Sequence, residues 1–290
     1  MMRTHAGADL MLAADLGSFW NFEQTADLLS RTFVQQSLLA LALLGLIGGL
    51  LGPMIVARQM SFAVHGAAEL SFTGAAAALL LGFSVNLGGV IGAVIAAAVF
   101  GWLGNRARER DSVIGVVMAF GLGLGVLFLH LYGRTGTGFA LLTGQVVSVG
   151  KSGLVAVAIT AVIVVAVLAV IYRPLLFASL DPRVATAAGV PMRTLSVVFA
   201  VLVGLAAAQG VQIIGALLVM SLLITPAAAA ARLTASPGRQ LVLAVAFAEI
   251  AAVGGLILSL APELPISVLV TTISFVIYLL ARLFGMRARD

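Results

Sequence analysis

Residues 153–172 read GLVAVAITAVIVVAVLAVIY, a run without one charged side chain. About 20 apolar residues wound as a helix cross the roughly 30 Å of hydrocarbon in a bilayer. No water is available there for backbone N–H and C=O groups, so the segment must close its hydrogen bonds within itself. A closed barrel would show short strands of alternating polarity instead. Working outward, the same reading applies to Phe33–Ile55, Met60–Leu81, Ser84–Gly104, Ser112–Leu131, Met192–Gly210, Gln212–Arg232, Gln240–Leu260 and Pro265–Phe284. With Gly153–Tyr172 these make nine candidate spans; a kink rather than a loop at Gly210 would make them eight. Across all 290 residues, 62% are hydrophobic and 9% charged, where soluble domains have about half and about a quarter. That balance excludes a soluble enzyme, a nucleic-acid binder and a disordered chain. The absence of cysteine excludes disulfides and thiolate metal sites, and the 32 glycines suit close helix packing in lipid. The expected fold is an all-α polytopic membrane protein with eight or nine transmembrane helices.

Basic residues set the orientation, because cytoplasmic loops collect Lys and Arg. With the C-terminus inside and nine crossings, Arg58, Arg106, Arg108, Arg110, Arg173, Arg183, Arg193, Arg232, Arg239, Arg282, Arg287 and Arg289 all fall on the inner side. Only Arg3, Arg31, Arg134 and Lys151 remain outside. The expected organisation is a polar extracytoplasmic segment 1–32, a transmembrane domain 33–284 and a basic cytoplasmic tail 285–290. The first segment carries Asp9, Asp15, Glu23 and Asp27 and lacks the basic start and solid apolar run of a secretory signal. It reads as a tail or a short interfacial helix around Leu10–Phe22. Loops are short apart from Tyr132–Gly150 and Arg173–Arg193, so energy for pumping must come from another chain.

Three ionisable groups stand out in the interior of the spans, away from their ends: His65, Glu69 and Glu249. A charge near the bilayer centre costs roughly 3 kcal/mol or more, so such groups face protein or a watery path and have a use there. His65 and Glu69 are four apart and stack on one helical face. An imidazole beside a carboxylate suits Zn²⁺ or Mn²⁺, although a plain His–Glu hydrogen bond accounts for the same spacing. Glu69 sits about 14 Å from the inner end of its span, and Glu249 is at a similar depth. His130 with Tyr132 and Arg134, and His5 with Asp9, read as interfacial or tail residues. An intramembrane metalloprotease needs two histidines flanking a glutamate; His65-Gly66-Ala67-Ala68-Glu69 has no second histidine nearby, so catalysis is disfavoured.

Three stretches in the second half carry a resemblance. They are Leu180-Asp181-Pro182 followed by Ala187-Ala188-Gly189-Val190-Pro191, the segment 211–230 reading VQIIGALLVMSLLITPAAAA, and Glu263-Leu264-Pro265. In this order they resemble the membrane subunits of zinc- and manganese-type ABC importers, over roughly residues 33–284. The second span departs from the family pattern of Asp, then Ser-His, then Gly. With Gly74 as that glycine, Glu69 takes the histidine position, Ala68 the serine and His65 the aspartate, so the two ligand types are exchanged and their spacing kept.

The resemblance implies a type II-like ABC importer permease in the plasma (inner) membrane, its N-terminus extracytoplasmic. The implied partners are a cytoplasmic ABC ATPase, an extracytoplasmic metal-binding protein, a second copy of the permease and the lipid bilayer, with no nucleic acid. No cofactor is held permanently; Zn²⁺ first and Mn²⁺ next are the expected substrates. His65, Glu69 and Glu249 would be transient ligands. Asp181, Pro182, Arg183, Ala187, Gly189, Val190 and Pro191 would form the ATPase coupling loop. Asp181 is suited to cap a short helix, Pro182 to open it and Gly189 to end it. The alternatives are a permease for a chelated metal or other small solute, or an ion-coupled carrier without an ATPase.

Overall fold

The computed structural model describes residues 22–102, 107–133, 149–215, 219–262 and 265–287. Every regular element among them is a helix: α1 Phe22–Ser30, α2 Thr32–Ala57, α3 Ser61–Leu81, α4 Val85–Trp102, α5 Ala107–Tyr132, α6 Lys151–Leu180, α7 Pro182–Ala187, α8 Met192–Ile214, α9 Val219–Leu223, α10 Thr225–Leu233, α11 Pro237–Leu260 and α12 Ile266–Arg287. Eight of these, α2–α6, α8, α11 and α12, are long and apolar enough to cross a membrane.

Small residues bring the antiparallel helices together. A Cβ on Gly74 of α3 would land on the Gly88 carbonyl of α4, and one on Gly92 on the Leu70 carbonyl. Farther along the same pair, Gly66 faces Phe100. Gly101 and Gly204 seat α4 against α8, beside Ala200 and Ala97. Gly45 and Gly49 seat α2 against α11, at Ala248 and Val245. This close approach exchanges side-chain volume for backbone contact, the usual basis of helix association in lipid. The centre holds α2, α3 and α8, with Leu41, Leu44, Ile47, Leu51, Phe72 and Phe199 fully buried. The outer helices α5, α6, α11 and α12 present large apolar side chains such as Phe120, Val162, Val242 and Phe275 outward, as a lipid-facing surface does.

The seventh expected span differs from its reading. No break occurs at Gly210; α8 continues through it and ends at Gly215, which takes φ 93°. The return limb is two short helices, α9 and α10, that meet at Ile224. Pro226 causes the break, since it has no N–H to give the Leu222 carbonyl one turn earlier. The limb nevertheless runs back, with Gly210 beside Val219, Gly48 beside Leu222, Gly52 beside Ala227 and Gly285 beside Arg232. The bundle therefore has two distinct ends. One carries Arg58, Arg193, Arg232, Arg239 and Arg282, and the other Arg31 and Lys151. Among the described residues, this grouping of the charges at two ends holds across the shortened limb.

Two boundaries shift. The segment read as an inner loop from Arg173 is helical to Leu180, with Pro174 inside α6, because the buried stripe continues through Leu175 and Ala178. Thirty residues make α6 about 45 Å long, longer than the roughly 30 Å of hydrocarbon it crosses. The last helix likewise runs past Gly285 to Arg287, into the segment read as a tail. The tail or short interfacial helix read around Leu10–Phe22 lies almost wholly outside the described residues; the first helix among those described is α1.

Candidate functional site

His65 and Glu69 lie on α3, one turn apart. Its first turn follows directly on α2 through residues 58–60, where the Met60 N–H donates to Ile55 O at 2.9 Å and the Val64 N–H to Met60 O at 3.1 Å. Glu69 is 4% exposed, and its Oε2 is buried without a hydrogen-bond partner, as is Nδ1 of His65. A buried carboxylate oxygen and a ring nitrogen, both unfilled, are costly in protein and more so in lipid. They are also the donor atoms a divalent transition metal takes. The simpler account, a mutual hydrogen bond that satisfies both side chains, leaves these two atoms unused.

The wall around them is fixed by packing. Gly66 lies against Ile114 of α5 and Phe100 of α4. Thr73, one turn beyond Glu69, places its hydroxyl 2.7 Å from Gly121 O on α5 and 3.0 Å from Glu69 O. That hydroxyl pins to α5 the turn that carries the carboxylate.

Glu249 is elsewhere. It lies on α11 facing α2, its carboxyl carbon 3.3 Å from where a Cβ of Gly45 would stand. The carboxyl group thus packs closely on the glycine face of α2, a contact the sequence reading did not find. Among the described residues, no three His, Asp or Glu side chains gather as a metal-binding group. The structure therefore brings His65 and Glu69 together and does not add Glu249 to them. By helix rise, Glu69 stands about 12 Å along α3 and Glu249 about 18 Å along α11, each counted from the arginine-rich end. His130 is exposed near the far end of α5, while His5, Asp9, Arg134, Glu263 and Leu264 lie outside the described residues.

The loop after α6 has the expected capped form. The Asp181 carboxylate accepts from the N–H groups of Arg183 at 3.1 Å and Val184 at 3.0 Å, and Pro182 opens α7. At the other end Gly189 takes φ 83°. There the Val190 N–H donates to Ala185 O at 3.0 Å and the Gly189 N–H to Thr186 O at 3.1 Å, the paired closure that a left-handed residue permits. Pro191 then leads into α8. Only Ala185 of α7 is buried; Asp181, Pro182, Arg183, Ala187 and Gly189 are exposed just beyond the end of α6. Asp181→Ala is expected to loosen α7 by about 1 kcal/mol. Amide exchange should quicken at Arg183 and Val184 and stay unchanged in the spans.

The ABC 3 transport family matches residues 30–285. The chain is 31% identical over 262 residues, 89% of each chain, to the manganese transport system membrane protein MntC of Halalkalibacterium halodurans. It is 27% identical over 225 residues, 77% of this chain and 86% of the other, to the high-affinity zinc uptake system membrane protein ZnuB of Haemophilus influenzae. Its fold is similar to a chain in the structure of PsaBC from Streptococcus pneumoniae in complex with Fab, with a TM-score of 0.82 at 22% identity, covering 93% of this chain and 100% of that one.

Proposed function

Because the chain belongs to the ABC 3 transport family, we propose that it is the permease through which an ABC importer moves a divalent transition metal, with His65 and Glu69 as transient ligands. The observation that carries this reading is the pair of buried, unpartnered donor atoms one helical turn apart. A translocation site must bind an ion well enough to strip its water and loosely enough to release it. Two donors per chain meet that requirement better than a closed four-ligand cage, which is the form of permanent structural sites. Glu249, which faces α2 rather than the His65–Glu69 pair, is offered as a further transient ligand, separate from that pair.

The resemblance alone puts zinc ahead of manganese. The relatives are named for both metals, and the carboxylate of Glu69 favours the harder ion, so manganese is the first substrate to test. The arginine-rich end is the cytoplasmic one by the positive-inside bias. There α7, exposed and capped at both ends, offers a rigid surface for the ATPase. A soluble metal-binding protein would deliver from the other side, and a second copy of the chain would complete the path.

The test is uptake of ⁵⁴Mn²⁺ and ⁶⁵Zn²⁺ into vesicles that hold the chain with its ATPase. ATP-dependent accumulation of either ion supports the reading, and accumulation that needs no nucleotide overturns it. Glu69→His replaces the hard donor by a second imidazole. It is expected to shift the Zn²⁺-to-Mn²⁺ uptake ratio toward zinc by about tenfold, in line with ligand preference.

A further inference from the structure

Arg58 closes α2 and reaches across 138 residues of sequence. Its Nη2 donates to the Ser196 hydroxyl at 2.6 Å, and its guanidinium lies 6.0 Å above the ring of Phe199. Ser196 and Phe199 are three apart and share one face of α8, near its first residue Met192. Both are buried, Phe199 completely. A planar cation held between a hydroxyl and an aromatic face is a directional link. Its position at the C-cap of α2 also matches the sign of the helix dipole.

We propose that Arg58 is a positioning residue that transmits movement of the α7 loop to the His65–Glu69 turn; the inference rests on the transport function proposed above. Each segment of the connection is short. From α7 the chain passes through Val190 and Pro191 straight into α8. Ala185, the buried residue of α7, belongs to one apolar cluster with Leu195, Phe199, Met54, Ile55 and Met60. Arg58 couples α8 to the turn at residues 58–60. Within that turn Gln59 holds φ 53°, the only non-glycine residue with positive φ among those described. An L-residue keeps such a conformation only where its surroundings impose it. The turn leads directly into α3, and His65 follows Arg58 by seven residues. A tilt of α8 therefore pulls the base of α3 through the guanidinium rather than through soft apolar contact. Packed helices respond to such displacements by stepping between discrete arrangements rather than bending continuously.

The experiment measures ATP hydrolysis and Mn²⁺ uptake on the same vesicles, with the chain assembled with its ATPase. Arg58→Ala is expected to leave hydrolysis within about twofold of wild type and to cut metal moved per ATP by about tenfold. Ser196→Ala, which removes only the hydroxyl, is expected to cut that ratio by about threefold. Arg58→Lys, a donor without the planar fork, should fall between Arg58→Ala and wild type. A ratio unchanged within twofold in both Arg58→Ala and Ser196→Ala overturns the linkage, as does an equal loss of hydrolysis and uptake. If Arg58→Ala does not assemble, Ser196→Ala decides alone. A wild-type complex that hydrolyses ATP but moves no metal fails at the proposed function, whereas a transporting wild type whose ratio is unaltered in both Arg58→Ala and Ser196→Ala fails only here.

Discussion

Replacing Glu69 by Gln should abolish ATP-driven metal uptake while leaving the protein as stable as before or more so. The two effects separate ligand from scaffold. An ionised carboxylate with an unpartnered buried oxygen costs roughly 3 kcal/mol near the bilayer centre, and the amide relieves much of that cost at nearly constant volume. If Glu69 served the fold through a bond to His65, Glu69→Gln would instead lower the melting temperature. The double change His65→Ala with Glu69→Ala is expected to reduce uptake at least about 100-fold. Loss of an outer-shell partner of a metal site already costs 10–100-fold, and here both direct donors go. Co-purification of the ATPase should be unaffected, because α7 lies at the exposed end of the bundle. Uptake within a fewfold of wild type in the double variant would remove the ligand assignment.

The second large effect is on folding. Gly74→Val or Gly92→Val is expected to destabilise the protein by roughly 3 kcal/mol or more and to deplete the monodisperse membrane fraction in gel filtration. A side chain at either position meets a backbone carbonyl of the opposite helix, Gly88 or Leu70, and backbone cannot move aside as a flexible side chain can. Gly123→Ala on α5 is the control. A Cβ there has nothing within 4 Å, so the better helix propensity of Ala, about 1 kcal/mol over Gly, is not opposed. Equal behaviour of Gly74→Val and Gly123→Ala would show that the α3–α4 contact is not as close as described.

Much of this was legible in the residues. Unbroken apolarity gave the spans, because in lipid a backbone has few ways to satisfy itself. The grouping of the arginines held even across the limb that proved too short. Asp181, Pro182 and Gly189 gave the capped α7, since caps are local chemistry and need no tertiary partner. The spacing of His65 and Glu69 placed them on one face for the same reason.

What lay beyond the sequence depended on neighbours distant along the chain. Gly210 looked like a break, yet it is an ordinary helical position; Gly215 ends α8 and Pro226 divides the return limb. A glycine ends a helix only where the chain must turn, and packing against Val219 and α2 decides where that is. The separation of Glu249 from His65 and Glu69 is likewise tertiary. Similar depth in two spans says nothing about which sides face each other, and the contact of Glu249 with Gly45 sets its direction. The Arg58–Ser196 link joins residues 138 apart, and no local pattern announces such a pair. One-dimensional chemistry thus determined which segments are helices, which end they reach and which donors share a turn. Only three-dimensional packing decided which donors meet and which helices are linked, because contacts between faces depend on rotations that hydrophobicity leaves free.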